Sequence, residues 1–318
     1  MTDVQHHAGP ALISRAKVIV NPAARGGKTA RQWPVISGHL KRNDIPFDYA
    51  FTEGPGHGIE LAKEAVNEGY GTIVAVGGDG TVNEVINGIV GEDGKGQARL
   101  GIICTGTGRD SIRSLNIPYD VGKACQTLAD GHCADIDLGR AEFVCDRGKA
   151  QRYYLNTAAL GFASAVAERT RHFKSLGGTL PFLIAFSTVF ISYKAKDIAT
   201  DIDGRIRQER SLLVAVNNGR YFGGGMKIAP GADPYDGLLD VVTVRDVNKL
   251  RLLYNFPRLY KGTHTTHPMV NVYQAKDVSV QTSDSLLLQL DGEIAGKAPA
   301  GFSIIPSALK VITGGLHD

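Results

Sequence analysis

The chain is poor in several things that would each announce a class. Four cysteines occur in 318 residues, Cys104, Cys125, Cys133 and Cys145, and none forms a C-x-x-C pair. Neither a disulfide framework nor a zinc ribbon is expected, and reduced structural thiols in a cytosolic protein are. Charge of one sign is also scarce. Lys and Arg exceed Asp and Glu by only 35 to 32, a formal +3, too little to imply a nucleic-acid partner. Long apolar runs are missing: the longest, residues 180–191, contains Pro181, Ser187 and Thr188 and falls short of the ~20 residues a spanning helix needs. Residues 1–15 show no basic segment followed by an apolar one, so no secretory leader is expected. His6 and His7 read as solvated rather than as a metal tract.

Glycine, by contrast, is abundant, at 39 residues against 13 prolines, without a collagen period. That fits tight turns or phosphate-binding loops. Hydrophobic residues at 43% and charged residues at 21% are ordinary for a globular chain of this length, which suggests about two domains. Strands are expected at 17–20, 47–51, 72–76 and 100–104, and helices at 29–40 (despite Pro34), 57–68, 82–90 and 121–129, the last capped by Asp120. Strand and helix alternate, so residues up to about 135 predict a parallel, doubly wound α/β sheet whose ligand binds at the carboxyl ends of the strands. Beyond that point the rhythm changes. Strands are expected at 153–159, 212–216, 238–244, 277–281, 286–290 and 302–305, with apolar helical stretches near 180–193 and 248–260. This is a second, mainly antiparallel β domain.

The turns carry the chemistry. Residues 21–29 end in Gly27-Lys28-Thr29, as a P-loop does, but open on Pro22, which lacks the amide a phosphate would use. A plain β-turn and a different phosphate-facing turn both remain open. Gly77-Gly78-Asp79-Gly80-Thr81 links a buried strand to a helix, where backbone approaches phosphate closely and the helix N-terminus favours an anion. Asp79 there would repel phosphate unless it held Mg²⁺ or took a proton. Thr105-Gly106-Thr107-Gly108 suits nucleotide contact, or is a loop before an N-capping Asp110. Leu290-Asp291-Gly292-Glu293 is a hairpin signal whose carboxylates could also take a proton or bind a cation. Residues 229–238, acidic and turn-rich, suit a hard cation or simply solvent.

Taken in this order, these motifs resemble the diacylglycerol kinase catalytic-domain family, bacterial soluble lipid kinases related to sphingosine kinases, across residues 17–311. The resemblance implies a nucleotide-binding α/β domain similar to NAD kinases and phosphofructokinases at 1–135, with a last strand returning to it at about 306–318. It implies a β-sandwich-like lipid domain at 136–305. It would place Asn21, Pro22, Ala23, Ala24, Arg25, Thr52, Gly78, Asp79, Gly80, Thr81, Val82, Asn83, Glu84 and Thr107 around ATP. Asp79, Asp291 and Glu293 would manage the catalytic Mg²⁺ and the acceptor proton, and Asp233, Asp236 and the carbonyl of Leu238 would hold a structural Mg²⁺. The implied reaction is phosphoryl transfer from ATP to a lipid hydroxyl, by a cytoplasmic protein peripheral to the membrane, and the resemblance also suggests a homodimer. The chain departs from the family at Arg109-Asp110-Ser111, where Asn-Asp-Phe is usual, at Ala24-Arg25 in place of Ser-Gly, and at Cys104-Thr105. Arg109 could reach a phosphate or an anionic headgroup, or be solvated.

An apolar segment at 180–191 with Arg169, Arg171, His172 and Lys174 before it and Lys194 and Lys196 after it suits either a core helix or transient docking on anionic lipid. Two other functions compete. An NAD kinase shares Gly-Gly-Asp-Gly-Thr but does not predict the early Asn-Pro turn, Asn83-Glu84 or the late Asp-Gly-Glu. A non-catalytic nucleotide- and lipid-sensing protein has no need of Asp79, Asp291 and Glu293 together.

Overall fold

Thr72-Ile-Val-Ala-Val-Gly77 has no polar face to turn to water, so it is stable only as a strand covered on both sides. A computed structural model, which describes residues 13–173 and 180–314, places it so: every residue of this strand, β3 (Thr72–Gly77), is buried. The leader through residue 12, with His6 and His7, and Lys174 lie outside the described residues. The chain forms two units, one running to Asp137 and resuming at Pro306, the other covering Leu138–Ile305.

In the first unit β1 (Ala16–Val20), α1 (Ala24–Arg42), β2 (Phe47–Phe51), α2 (His57–Asn67), β3, α3 (Asp79–Ile89) and β4 (Arg99–Cys104) alternate, followed by α4 (Asp110–Ser114) and α5 (Val121–Asp130). The strands pair in parallel in the order β4-β3-β1-β2. The connection from β1 runs to one side and β3 returns on the other, so the order reverses between β1 and β3. Such a switch point opens a crevice at the carboxyl ends of the strands. Val18, Val20, Val74, Val76 and Ile103 from the sheet pack with Trp33, Ile36 and Leu40 of α1 and Leu128 of α5 in one core. Each such buried aliphatic side chain contributes roughly 1.5–3 kcal/mol. Asp120 caps α5 as expected, accepting from the Lys123 amide at 2.9 Å.

Helix α1 continues through Pro34 and is disturbed elsewhere. Arg25, Gly26 and Gly27 are left-handed in succession, so regular helix resumes at Lys28, close to the expected start. Helix α3 begins earlier than expected, at Asp79, and Arg109 rather than Asp110 occupies the N-cap position of α4, with φ of 63°.

The second unit is β-rich, as expected. Strands β5 (Cys133–Cys145) and β14 (Glu293–Ile312) carry the chain between the units. Between them lie β6 (Gly148–Tyr154), β7 (Thr157–Gly161), α6 (Phe162–Arg171), α7 (Leu180–Ser192), β8 (Lys196–Ile202), β9 (Arg205–Asn217), β10 (Leu239–Arg245), α8 (Lys249–Asn255), α9 (Pro257–Lys261), β11 (Val270–Ala275), β12 (Asp277–Gln281) and β13 (Leu287–Leu290). The pairing closes on itself, β14 to β13, β7, β9, β8, β12 and back to β14. Every strand of the circuit has two partners within it, while β11 and β6, attached outside it through β10 and β5, keep an edge. The one strand expected at 153–159 is two, broken at Leu155 and Asn156. The end of β14 lies parallel to β4 in the first unit, Val311 opposite Leu100.

Gly88 is where α3 meets α2. A Cβ there would press on the Ala62 side chain and lie 2.5 Å from the Ile59 carbonyl oxygen. Backbone cannot step aside as a flexible side chain can, so Gly88→Ala is expected to lower stability by about 2–3 kcal/mol. Urea denaturation reads this; an unchanged midpoint and slope would mean the two helices do not approach this closely.

Candidate functional site

The switch point is built from two turns. After β1, the Asn21 amide continues the ladder by donating to Val76 O at 2.9 Å, and its side chain donates to Thr81 Oγ1 at 3.0 Å. Its Oδ1 accepts from the Ala23 amide at 3.1 Å, which tightens the turn through Pro22 and Ala24. After β3, Gly78 is the extended N-cap of α3, and no side chain caps that helix. The first amides of a helix lack intrahelical partners and carry partial positive charge, so this end is ready for an anion.

The turn after β4 closes in from the other side. Gly77 O accepts from the Thr105 and Gly106 amides, at 2.8 and 3.2 Å. A Cβ on Gly106 would sit 2.6 Å from Gly78 Cα, and one on Gly108 would collide with Asp79 Oδ2. Only glycine allows these approaches. Asp79 itself is anchored, its Oδ1 accepting from the Ser111 amide at 2.9 Å. Beneath lies a buried pair of hydroxyls, Thr29 and Thr105, 2.6 Å apart. Burial, then the nearby Asp79 charge, push the Cys104 thiol up to about 11. The thiol therefore stays neutral at physiological pH. Thr29 and Thr105 belong to the turns 21–29 and 105–108 that the sequence singles out, whereas Ser111 carries no signal of its own.

Other residues expected near the nucleotide divide. Thr107 is exposed at the rim, Gly80 lies in the first turn of α3, and Thr52 is buried at the end of β2, its amide bound to Val20 O. Val82 is buried in the core face of α3 and its amide is spent on Gly78 O. Asn83 is buried and accepts from Asn87. Glu84 turns to α2: its carboxylate accepts from the Gly56 and Gly58 amides, at 2.7 and 3.0 Å. It supplies the cap that α2, with Gly56 at its N-cap, lacks.

In the second unit the Asp-Gly hairpin and the acid are the same object. Asp291 and Gly292 are left-handed, with φ of 46° and 90°, and join β13 to β14. Both Asp291 carboxylate oxygens accept from main chain: Leu155, Asn156 and Thr157 amides, at 2.8, 2.9 and 3.0 Å. These three amides are where β6 breaks from β7. Asn217 and Asn218, a doublet at the end of β9, tie down the same corner through Thr157 Oγ1 and Leu155 O. Glu293, just beyond the turn, is exposed.

Asp233, Asp236 and Leu238 share one turn, with Asp236 Oδ1 accepting from the Leu238 amide at 2.9 Å. Asp240 follows, buried, its Oδ2 without a hydrogen bond. Burial, then the charge of Asp236, push its carboxyl up to about 6. Among the described residues no three Asp, Glu, His or Cys side chains gather closely enough to hold a metal ion. The turn offers two carboxylates and a carbonyl, so a hard cation here needs water to complete its oxygen shell.

A parallel sheet with glycine turns at its switch point and a β-rich second unit make an NAD kinase-like fold. A yeast NADH kinase structure covers 96% of this chain and 84% of its own, with a TM-score of 0.55 at 8% identity. A diacylglycerol kinase structure from Bacillus anthracis str. Sterne reaches 0.71 at 20% identity, covering 94% and 97%. The diacylglycerol kinase catalytic domain profile matches residues 15–141, and the YegS C-terminal NAD kinase beta sandwich-like domain profile matches 156–313. A protein named diacylglycerol kinase from Staphylococcus saprophyticus subsp. saprophyticus is 30% identical over 94% of this chain and 95% of its own. One of that name from Staphylococcus aureus (strain bovine RF122 / ET3-1) is 31% identical over 91% and 89%. The chain belongs to the diacylglycerol kinase catalytic-domain family.

Glu84 separates a structural role from a nucleotide one. Glu84→Ala leaves two helix-end amides without their acceptor and is expected to lower stability by about 1–2 kcal/mol. Nucleotide affinity of the folded variant should stay within about twofold. Thermal denaturation and calorimetric titration with ATP check both; a stable variant with lost ATP affinity would reverse the assignment.

Proposed function

We propose that this protein is a lipid kinase that moves the γ-phosphoryl group of ATP to the hydroxyl of a lipid such as diacylglycerol. The observation that carries this reading is the uncapped N-terminus of α3 at the switch point, with the anchored Asp79 as its first residue. In the proposed reaction the lipid hydroxyl oxygen attacks the γ-phosphorus, the bond to the bridging oxygen breaks, and ADP leaves. Glu293 takes the hydroxyl proton. Asp291 is a poorer acceptor because three amides already occupy its oxygens. Main-chain amides of 78–81 face the phosphates and offset their charge. An anchored carboxylate beside them repels phosphate unless a cation lies between, which suits Mg²⁺; Asp79 would hold it, and bound Mg²⁺ would neutralise charge on the transferring group.

A lipid must be reached at a surface. No helix among the described residues is long and apolar enough to cross a membrane. Helix α7 is half a core helix: Ala185 and Val189 are buried with Val166 of α6, while Ile191 is 74% exposed. The more open surface is α8, where Leu250, Leu253 and Tyr254 are exposed. No acidic residue occurs between Asp246 and Asp277, whereas Lys249, Arg251, Arg258 and Lys261 do. Apolar residues in a basic, acid-free stretch complement an anionic bilayer. A half-open cavity of about 400 Å³ lies alongside, lined by Phe162, Phe190, Tyr193, Leu212 and Leu252 and also by Lys194, Arg210, Asp246 and Asn248.

Incubation with Mg-ATP and a total bacterial lipid extract, read by mass spectrometry, is expected to yield a lipid heavier by one phosphate. Asp79→Ala should reduce its formation roughly a thousandfold while the protein stays folded. Near-normal turnover in that variant, or phosphorylation of NAD and of no lipid, would sink the reading. The surface has its own check: the protein should float with phosphatidylglycerol vesicles, and Leu250→Ser with Tyr254→Ser should stay behind. Equal flotation of that variant would remove α8 from the contact.

A further inference from the structure

Two arginines at the switch point are placed in a way that folding alone does not explain. Arg25, in the turn after β1, and Arg109, in the turn after β4, are both left-handed, with φ of 53° and 63°. Neither is a residue that tolerates this conformation well, and each costs on the order of 1 kcal/mol. Both reach the same side chain. The Arg109 guanidinium lies over the Tyr119 ring, 3.4 Å from its centroid, and Arg25 Nη1 donates to the Tyr119 hydroxyl at 3.3 Å. Among the described residues neither arginine has a carboxylate partner, in contrast with Arg15, Arg113, Arg140, Arg210 and Arg245, which have Asp48, Asp110, Glu142, Asp246 and Glu209. Arg109 Nε is buried with no acceptor. Two like charges drawn onto one ring repel, and an orphaned guanidinium donor is a standing penalty. A multiply charged anion between the two cations offsets their repulsion and offers acceptors to their remaining N–H groups. The turn that carries Arg109 also packs against the α3 N-terminus, through Gly106 on Gly78 and Gly108 on Asp79.

We propose that Arg25 and Arg109, aligned by Tyr119, form a paired-cation clamp for the polyphosphate of the nucleotide. This deepens the kinase reading and rests on it for the identity of the ligand. Tyr119 is a positioning residue: its ring face orients Arg109 and its hydroxyl oxygen orients Arg25. Arginine rather than asparagine at position 109 then means that part of the phosphate charge is met by a side chain and not by main-chain amides alone.

The test titrates the full-length protein with ATP, inorganic tripolyphosphate and adenosine by calorimetry, with turnover measured in parallel. Arg109→Ala is expected to weaken ATP and tripolyphosphate by about tenfold or more, the loss of a charge-assisted contact, and to leave adenosine unchanged. Arg109→Gly relieves the left-handed turn, so it should be at least as stable as the parent and yet bind phosphate as poorly. Tyr119→Phe keeps the ring and should stay within about threefold; Tyr119→Leu should approach Arg109→Ala, raising KM for ATP with little change in kcat. Tripolyphosphate binding that is equal in parent and Arg109→Gly, or absent from both, overturns the clamp. Loss of affinity for adenosine as well as ATP overturns it too, by moving Arg109 to the base. Arginine-dependent tripolyphosphate binding without any lipid product supports the clamp while the kinase reading falls; a lipid product made equally well by Arg109→Gly does the reverse.

Discussion

A single carbonyl organises the carboxyl-end edge of the sheet in the first unit. Gly77 O accepts from both Thr105 and Gly106 amides, and this pair of hydrogen bonds draws the turn after β4 against the turn after β3. The glycines at 106 and 108 follow from it, because any side chain there would strike Gly78 or Asp79. So does the anchoring of Asp79 by Ser111, which only a turn so close can supply. Asn21 does the equivalent on the other flank by bonding Val76 and Thr81. The first turn of α3 is thereby held between two loops with its amides left over. That is costly for a helix by itself, and it is what an anion-binding edge requires.

The second unit shows the same economy with a carboxylate in place of a carbonyl. Asp291 sits in a left-handed turn residue, a position that short polar side chains tolerate, and collects the three amides exposed where β6 gives way to β7. Without an acceptor those amides would be orphaned. With it, the corner at 155–157 and the hairpin at 291–292 become one piece. The neighbouring Glu293 then stands exposed at the end of a hairpin anchored in this way.

Much of this was legible in the sequence. Strands covered on both faces read as apolar runs, which is why β1, β3 and β4 were found within a residue or so, and why the change of rhythm after about 135 stood out. Glycine-rich turns directly after such runs marked the switch point. What could not be read was which side chain serves which distant amide. Glu84 looks like a nucleotide residue because it follows Gly-Gly-Asp-Gly-Thr, yet it caps a helix that starts at His57. Asp291 reads as a hairpin residue or as an acid, and nothing local reveals the amides at 155–157. The break between β6 and β7 was missed for the same reason: its cause lies more than a hundred positions away.

Arg109 shows how a departure from a family pattern can be compensated within one chain. A long cationic side chain at a left-handed position needs something to hold it, and the sequence supplies Tyr119 ten residues on. Phenol suits this better than a carboxylate would. A carboxylate would neutralise the guanidinium and bring a second negative charge near Asp79. An aromatic face attracts the cation, fixes its plane and leaves its charge uncompensated. The same hydroxyl then steadies Arg25, so two loops separated by more than eighty residues share one neutral support. Preorganised charge of this kind is the form in which a protein can offset phosphate charge without reorganising when the ligand arrives.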